Sequence, residues 1–425
     1  MQATLRQRAP RLLRRTTCRP FSAAARTQPS RGDRVVIGMS GGVDSSVAAK
    51  LLAEQDYNLS AIFMRNWDTR DESGTDKGCE WEKDWQDVQQ VCRTLDIPCR
   101  MIDLSREYWN RVFEPSLRLW ESGVTPNPDV WCNKEIKFGA LLDRLPHSES
   151  IPEEAWFATG HYARKSTGPR AKLLRAVDRH KDQTYYLSSL SEASLDRALF
   201  PIGGFTKPEV REIARKHNLV TAERPESMGL CFVGEKGKFR DFLDQYIPPK
   251  PGPIVDLLTD KTLGEHHGLW TYTIGENARI SGMPMKMFVS RKDIANNRVY
   301  VVPGTDHIDL WATSIRATGW SWIWADSPPI GISQPAGTRL RAKFRHKMGD
   351  IPCTVRRRAD GDVIITFDDP RKAVSPGQVV ALWDADWCLG CGTIVEGKND
   401  PPQSLDYTQD YQKANIAYTQ ESPNP

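Results

Sequence analysis

The chain has 425 residues, 39% hydrophobic and 26% charged, which is the balance of an ordinary globular protein with room for two or three cored domains. No apolar run approaches the length that crosses a bilayer, which excludes membrane-spanning helices and predicts no membrane partner. Nine cysteines, at 18, 79, 92, 99, 132, 231, 353, 388 and 391, form an odd set without a secretory signal; this excludes a disulfide framework and leaves redox, catalytic or metal-bound roles.

The formal charge of +4 is unevenly held. Residues 1–31 contain eight arginines (Arg6, Arg8, Arg11, Arg14, Arg15, Arg19, Arg26 and Arg31) and no acid, so the rest carries 50 Lys and Arg against 54 Asp and Glu, a net charge of −4. Ser, Thr and Ala fill the segment, Leu12, Leu13 and Phe21 are spaced among the arginines, and the acid-free run stops at Asp33. That is the pattern of a mitochondrial transit peptide, predicting delivery to the matrix; the plainer alternative is a basic arm that touches nucleic acid.

From Arg34 onward, short apolar runs alternate with helical patterns. "RVVIGMS", "LSAIFMRNW", "PCRMIDLS" and "AWFATGHY" read as strands. "SSVAAKLLAEQ", "WQDVQQVCRTLD", "REYWNRVFEPSLRLWES" and "EIKFGALLDRL" read as helices, as does "TKPEVREIARKHNL" with Thr206 as N-cap and Pro208 in its first turn. This alternation predicts an α/β domain with a parallel sheet, over 32–240. "YIPPKPGPIVD" is a proline-rich hinge. Beyond it, "HHGLWTYTIGE" and "RVYVVPGTD" predict a small β-rich central module over 241–310. "TRLRAKFRHKMGDIPCTVRRRADGDVIITFDDP", "GQVVALWD" and "CLGCGTIVE" predict a C-terminal β-barrel domain over 311–396, with "ADGD" as a hairpin turn. Residues 397–425 are polar and aperiodic, and read as a disordered tail.

"SGGVDSS" follows the first strand and opens the first helix. Gly41 and Gly42 let the backbone approach an oxyanion, and successive N–H groups, the helix N-terminus and the hydroxyls of Ser40, Ser45 and Ser46 suit a phosphate. The G-x-x-x-x-G-K-[ST] loop differs in carrying a lysine that serves γ-phosphoryl transfer. Its absence fits cleavage between the α- and β-phosphates, with pyrophosphate cradled as it leaves, Mg²⁺ screening its charge and Asp44 helping to hold the metal. The bland alternative is a strand–turn–helix that uses glycine for packing. The stretch resembles the PP-loop ATP pyrophosphatases, whose signature is SGGxDS and which adenylate a carbonyl or carboxylate oxygen.

Two further stretches carry thiols. "GVTPNPDVWCNKEIKFGALL" sets Asp129 three residues before Cys132, in a proline-rich loop expected just ahead of a helix, where the macrodipole and Lys134 and Lys137 favour a thiolate. "ESMGLCFVGE" holds Cys231. A persulfide on one cysteine and thiol–disulfide exchange with a second would deliver sulfur to an activated carbonyl; on these residues alone, two buried structural thiols fit equally.

Together "TPNPD..CN..IKF", "CFVGE", "FMRNW" (63–67), "ATGHYAR" (158–164), "KDQTYYL" (181–187) and "DIPCTV" (350–355) resemble the tRNA-specific 2-thiouridylases, in order, across roughly 34–396. The resemblance implies Cys132 as nucleophile, Cys231 as the persulfide carrier and Asp129 at the target base. It implies an ATP loop of Gly38, Met39, Ser40, Gly41, Gly42, Val43, Asp44 and Ser45, with Met64 and Gly160 near the adenine and ribose. Contacts to tRNA are implied for Asn127, Pro128, Lys181, Asp182, Gln183, Arg345, His346 and Gln378. It further implies ATP and Mg²⁺, a tRNA partner, and a sulfur donor that is a cysteine desulfurase or a persulfide relay protein.

The chain departs from the family's "TIGQR"-like turn, having "TIGENARISGMPMKMFVS" with Glu276 at the glutamine position, and from "STGICF", having "SMGLCF". "CLGC" at 388–391 with Cys353 offers three zinc ligands where a structural site wants four, so it reads as buried strand thiols; Asp129, Cys132 and Cys231 likewise fall short of the four thiolates usual for an iron–sulfur cluster, and no metal site is assigned. "HYARKSTGPRAKLLRAVDRHK" and "RAKFRHKMGDIPCTVRRR" read as phosphate-binding patches or as solvated charged faces. Rival functions are another PP-loop adenylating enzyme, such as a 4-thiouridine synthase or an amide-forming ligase, and a catalytically silent RNA-binding protein. The intact serines and Asp44 argue against silence, and the paired cysteines against amidation.

Overall fold

The computed structural model describes residues 26–67, 80–145, 155–225 and 239–399. Residues 1–25 of the expected presequence, the tail from 400 and Cys231 lie outside the described residues. Among those described, no helix is long and apolar enough to cross a membrane.

The first apolar run forms strand β1 (Arg34–Met39), whose Val35, Val36 and Ile37 are buried. It pairs in parallel with β2 (Asn58–Arg65) on one side and β4 (Trp156–Thr159) on the other. With β3 (Cys99–Asp103) and β7 (Ala198–Leu199) the sheet order is β3-β2-β1-β4-β7, all parallel. Chain order reverses between β1 and β4, so a crevice opens at their carboxyl ends, the usual ligand position in an open α/β sheet. Helices α1 (Val43–Ala53) and α2 (Glu80–Leu95) pack with the core of Val35, Ile37 and Val47.

Helix α3 (Ser105–Tyr108) runs through a π turn (Trp109–Phe113) into α4 (Glu114–Glu121). After a loop at 122–127, α5 (Pro128–Trp131) passes into a π-helical stretch (Cys132–Ala140) and α6 (Leu141–Asp143). Short helices α7 (Thr184–Leu187) and α8 (Glu192–Asp196) follow. Helix α9 (Lys207–Lys216) begins as its sequence requires: the Glu209 carboxylate accepts from the N–H and hydroxyl of the N-cap Thr206. Helix α10 (Phe239–Leu243) leads into the β modules.

The central sheet has the order β10-β11-β8-β9, from β8 (Gly252–Asp256), β9 (Thr262–His266), β10 (Met287–Asp293) and β11 (Arg298–Pro303). The β-like reading of "HHGLWTYTIGE" is corrected here: only His266 ends a strand, and Leu269–Thr271 is a 3₁₀ turn with Leu269 and Trp270 buried.

The last six strands are β12 (Trp311–Trp322), β13 (Thr338–Lys343), β14 (Ile351–Arg357), β15 (Val363–Lys372), β16 (Val379–Asp384) and β17 (Trp387–Lys398). They pair antiparallel in the order β12-β15-β14-β13-β16-β17, and β17 returns to β12, closing the barrel and removing its edges. Strand β17 continues through Lys398, past the expected start of the tail. Cys353 lies inside the barrel, whereas Cys388 and Cys391 face the core shared with the α/β domain, so the three thiols do not share a site.

The hairpin β5 (Ala163–Lys165) and β6 (Leu173–Arg175) belongs in sequence to the α/β domain, yet it extends the barrel sheet by pairing β6 with β17. This changes the reading of the first basic stretch. Arg164 and Arg179 pair with Asp386, Arg170 with Glu192 and Asp326, and Arg175 with Asp182 and Asp350. Lys172 lies over the rings of Trp324 and Trp387. These cations join two domains, because a strand splice between modules needs cross-links.

Candidate active site

The phosphate loop is built from local hydrogen bonds. Gly41 takes φ +75°, a conformation that glycine adopts without penalty, and Gly42 caps α1. The Ser45 hydroxyl accepts from the Ser40 N–H at 3.2 Å and donates to the Gly42 carbonyl at 3.1 Å; Ser46 donates to the same carbonyl at 2.9 Å. Gly38 and Met39 close β1, and Val43 opens α1. The positive φ, the helix N-terminus and the serine hydroxyls fit a phosphate group.

The loop lacks a lysine of its own, but the fold brings one from the first turn of α9. Lys207 donates to both carboxylate oxygens of Asp44, at 2.7 and 2.9 Å, and the Tyr162 hydroxyl donates to the same carboxylate at 2.9 Å. Neither partner stood out in the sequence, where Lys207 is 163 residues from Asp44. Arg224 is another unanticipated support. It donates to the Gly41 carbonyl at 2.8 Å and to Asp87 at 2.6 Å, and it pairs with Asp84, locking the loop to α2.

Met64 is the penultimate residue of β2, one position beyond the partner of Met39, so it lies at the same end of the sheet. Gly160 follows β4 and presses on α1: a Cβ there would lie 2.6 Å from Ser45 N and 2.8 Å from the Asp44 carbonyl carbon. The next residue, His161, reaches the other way. Its Nε2 is 3.5 Å from the Lys137 ammonium and its Nδ1 is 2.8 Å from the Thr159 hydroxyl. Burial, aided by Lys137, holds its pKa well below the usual histidine value, so the ring is neutral. Lys137 lies on the helix of Asp129 and Cys132. The end of β4 thus joins the phosphate loop to that helix.

Asn127 caps this helix, its side-chain oxygen accepting from the Val130 N–H, and Pro128 takes the first helical position. The expectation of Cys132 just ahead of a helix is therefore corrected. Cys132 sits a full turn inside, 4% exposed, past the first turn where the macrodipole acts. Lys134 pairs with Glu135 on the surface. Asp129 is half-buried; desolvation raises its pKa and Lys137 opposes the rise. A carboxyl of raised pKa beside a buried thiol, on a helix tied to a phosphate loop, has the makings of acid–base and nucleophilic chemistry.

Residues from the other modules close round this helix. The His346 ring stacks on Tyr186, with centroids 4.5 Å apart, and Tyr186 is pushed up to about 12 by burial and by Asp129. Gln378 donates to the carbonyls of Thr125 and Pro126, each at 2.9 Å, and accepts from Asn127. Arg345 reaches the carbonyl of Lys372. Of the 181–183 segment, Lys181 is partly exposed. Asp182 is buried on the Ala176 N–H and the Thr184 hydroxyl, and Gln183 accepts from the Tyr162 N–H, so those two side chains shape the site from within.

The open parallel sheet, the lysine-free glycine–serine loop and the two β modules define a HUP-type phosphate-loop protein. Family models agree along the chain: a tRNA methyl transferase HUP domain matches residues 33–235, a tRNA methyl transferase PRC-barrel domain 240–303, and an aminomethyltransferase beta-barrel domain 312–394. The chain is 44% identical over 364 residues to the tRNA-specific 2-thiouridylase MnmA of Listeria monocytogenes, covering 85% of this chain and 94% of that protein. To the enzyme of the same name from Bacillus pumilus it is 42% identical over 384 residues, covering 90% and 100%. The chain belongs to the tRNA-specific 2-thiouridylase family.

Proposed function

We propose that this protein is an ATP-dependent tRNA-uridine 2-sulfurtransferase that acts in the mitochondrial matrix on the wobble uridine of tRNAs for Lys, Glu and Gln. Uridine 2-thiolation follows from the family; the arginine-rich, acid-free first 31 residues support the compartment, and a wobble base lies in a loop from which it is readily flipped. The observation that carries the reading is the link from Ser45 through Gly160 and His161 to the helix of Asp129 and Cys132.

ATP is the co-substrate that the loop fits. The uridine C2 oxygen attacks the α-phosphate and pyrophosphate leaves on the loop; Asp129 assists at the base. The outer persulfide sulfur on Cys231 then attacks C2 and AMP departs; the Cys132 thiolate attacks the Cys231 Sγ, breaking its bond to the transferred sulfur, so that 2-thiouridine leaves and a Cys132–Cys231 disulfide remains for an external reductant to reopen. A cysteine desulfurase or persulfide relay protein supplies the sulfur. Asp44 would hold Mg²⁺, which supplies charge screening for the leaving group, only with the Lys207 ammonium displaced, since that ammonium meets both carboxylate oxygens.

The test is thiolation of unmodified tRNA by the purified protein with ATP and a persulfide donor, followed on mercury-containing gels and by nucleoside mass spectrometry. 2-Thiouridine at the wobble position is expected. A product thiolated at C4 or at another position overturns the reading. Separately, a fluorescent reporter fused to residues 1–31 should enter mitochondria; a cytosolic reporter removes the compartment from the proposal.

A further inference from the structure

The loop at 122–127 connects α4 to the helix of Asp129 and Cys132, and side chains of the two β modules hold it. From β10, the Lys292 ammonium donates to the Gly123 carbonyl at 2.8 Å and lies 3.4 Å from the Thr125 hydroxyl. From the barrel, the Pro376 carbonyl accepts from Thr125 N–H at 3.4 Å, and Gln378 holds the Thr125 and Pro126 carbonyls. Gly377, at φ +89°, lets the loop pass: a Cβ there would lie 2.3 Å from Val124 Cγ1.

Packing alone does not fix the loop. Gly123, Val124 and Thr125 line a cavity of about 230 Å³ at the junction of the three modules, together with Lys292, Ser375 and Trp311. The Ser375 hydroxyl there is buried and makes no hydrogen bond to protein. A loop backed by a cavity has space to move into, so its position depends on the polar contacts at its edges. Lys292 makes the charged contact among them. Burial brings its pKa down to about 8, against which Glu276 pulls upward. Glu276 is the residue at which this chain departs from the TIGQR-like turn.

We propose that Lys292 is a positioning residue: it ties the central module to the 122–127 loop and so sets the placement of Asp129 and Cys132 for attack on the base. The ammonium is turned into the protein, onto the loop, and is not a tRNA contact. The inference rests on the roles given to Asp129 and Cys132 under Proposed function.

The experiment uses the full chain. In Lys292→Met, kcat for thiolation should fall about 10- to 100-fold, the scale expected when reacting groups shift by about an ångström. KM for tRNA and for ATP should stay within about threefold, since neither substrate touches the ammonium. Hydrogen exchange should quicken at 123–127 and stay unchanged across 35–63. Lys292→Arg, which still donates to the Gly123 carbonyl, should recover most of kcat. Should the methionine variant not fold, Lys292→Gln carries the same readouts. Undiminished kcat, a loss wholly in the KM for tRNA, or an arginine variant as slow as the methionine one overturns the proposal. Asp129→Asn and Cys132→Ser separate the two levels. If both keep wild-type thiolation, the reading of the site fails; if both are inactive while Lys292→Met is unimpaired, only the tether fails.

Discussion

Replacing Lys207 by methionine tests whether the phosphate loop borrows its cation from α9. Methionine keeps much of the aliphatic stem and removes the ammonium that meets Asp44 at 2.7 and 2.9 Å. The lysine side chain is 11% exposed and the aspartate 33%. The pair is thus drier than a surface ion pair contributing about 0–1 kcal/mol, yet the aspartate still reaches water. Hydrogen bonds to charged groups contribute about 1.5–3 kcal/mol, and the wet side of Asp44 places this one near 1.5–2, at the lower end. For a domain of about 200 residues that is roughly 3–8 °C in Tm. Nucleotide binding should weaken alongside, because the triphosphate then meets a carboxylate with no ammonium beside it. A loss of about 1.4 kcal/mol makes that roughly tenfold in Kd. Thermal unfolding and calorimetric titration with ATP measure both effects for Lys207→Met, Asp44→Asn and the double variant. The double variant should lose less stability than the two singles together, since each single removes the same contact. Wild-type Tm and ATP affinity in Lys207→Met, or strict additivity in the cycle, refutes the reasoning.

Gly160→Ala should destabilise the protein by about 1–3 kcal/mol through overpacking and weaken ATP binding, because its Cβ would meet Ser45 N at 2.6 Å; unchanged unfolding and titration curves would count against the close approach of β4 to α1. Asp129→Asn should lose thiolation yet raise Tm at pH 7. With its pKa raised by burial, the folded protein holds more protons than the unfolded chain above pH 3.8, so stability falls as pH climbs through that window. The amide removes this effect, and its advantage should vanish below about pH 4 in a pH series of melts. Cys231→Ser should still adenylate the base, detected as pyrophosphate release dependent on tRNA, but transfer no sulfur; loss of both reassigns Cys231.

Local signals carried the α/β half well. Buried "VVI" in β1, the glycine–serine turn and the Thr206 capping box each specify their own element, so a sequence reading finds them. Asn127 and Pro128 were equally local and were misread: an N-cap followed by proline starts a helix, which puts Cys132 inside it. The rest depended on long-range contact. Nothing near Lys207 says that it meets Asp44, and nothing near Arg164 to Arg179 says that their partners lie on β-module turns. A cation-rich stretch looks alike in sequence whether its partners are phosphates or distant carboxylates. The β5–β6 hairpin was hidden for the same reason, since its partner strand β17 is more than 200 residues further along.

That placement bears on how a base reaches the half-buried Asp129 and the buried Cys132. Beyond Cys132 the helix is fixed by core residues, Ile136 and Leu141 being fully buried. Its other end emerges from the 122–127 loop, which the β modules hold. Movement that exposes Asp129 and Cys132 therefore belongs to the seam between domains. Tyr186 of the α/β domain and His346 of the barrel stack directly, leaving no gap for a third ring, and burial keeps the imidazole pKa low, so parting the rings strands no charge. An RNA loop that engages the barrel around Arg345 would pull on the His346 side of this stack and, through Gln378, on the loop that leads to Asp129.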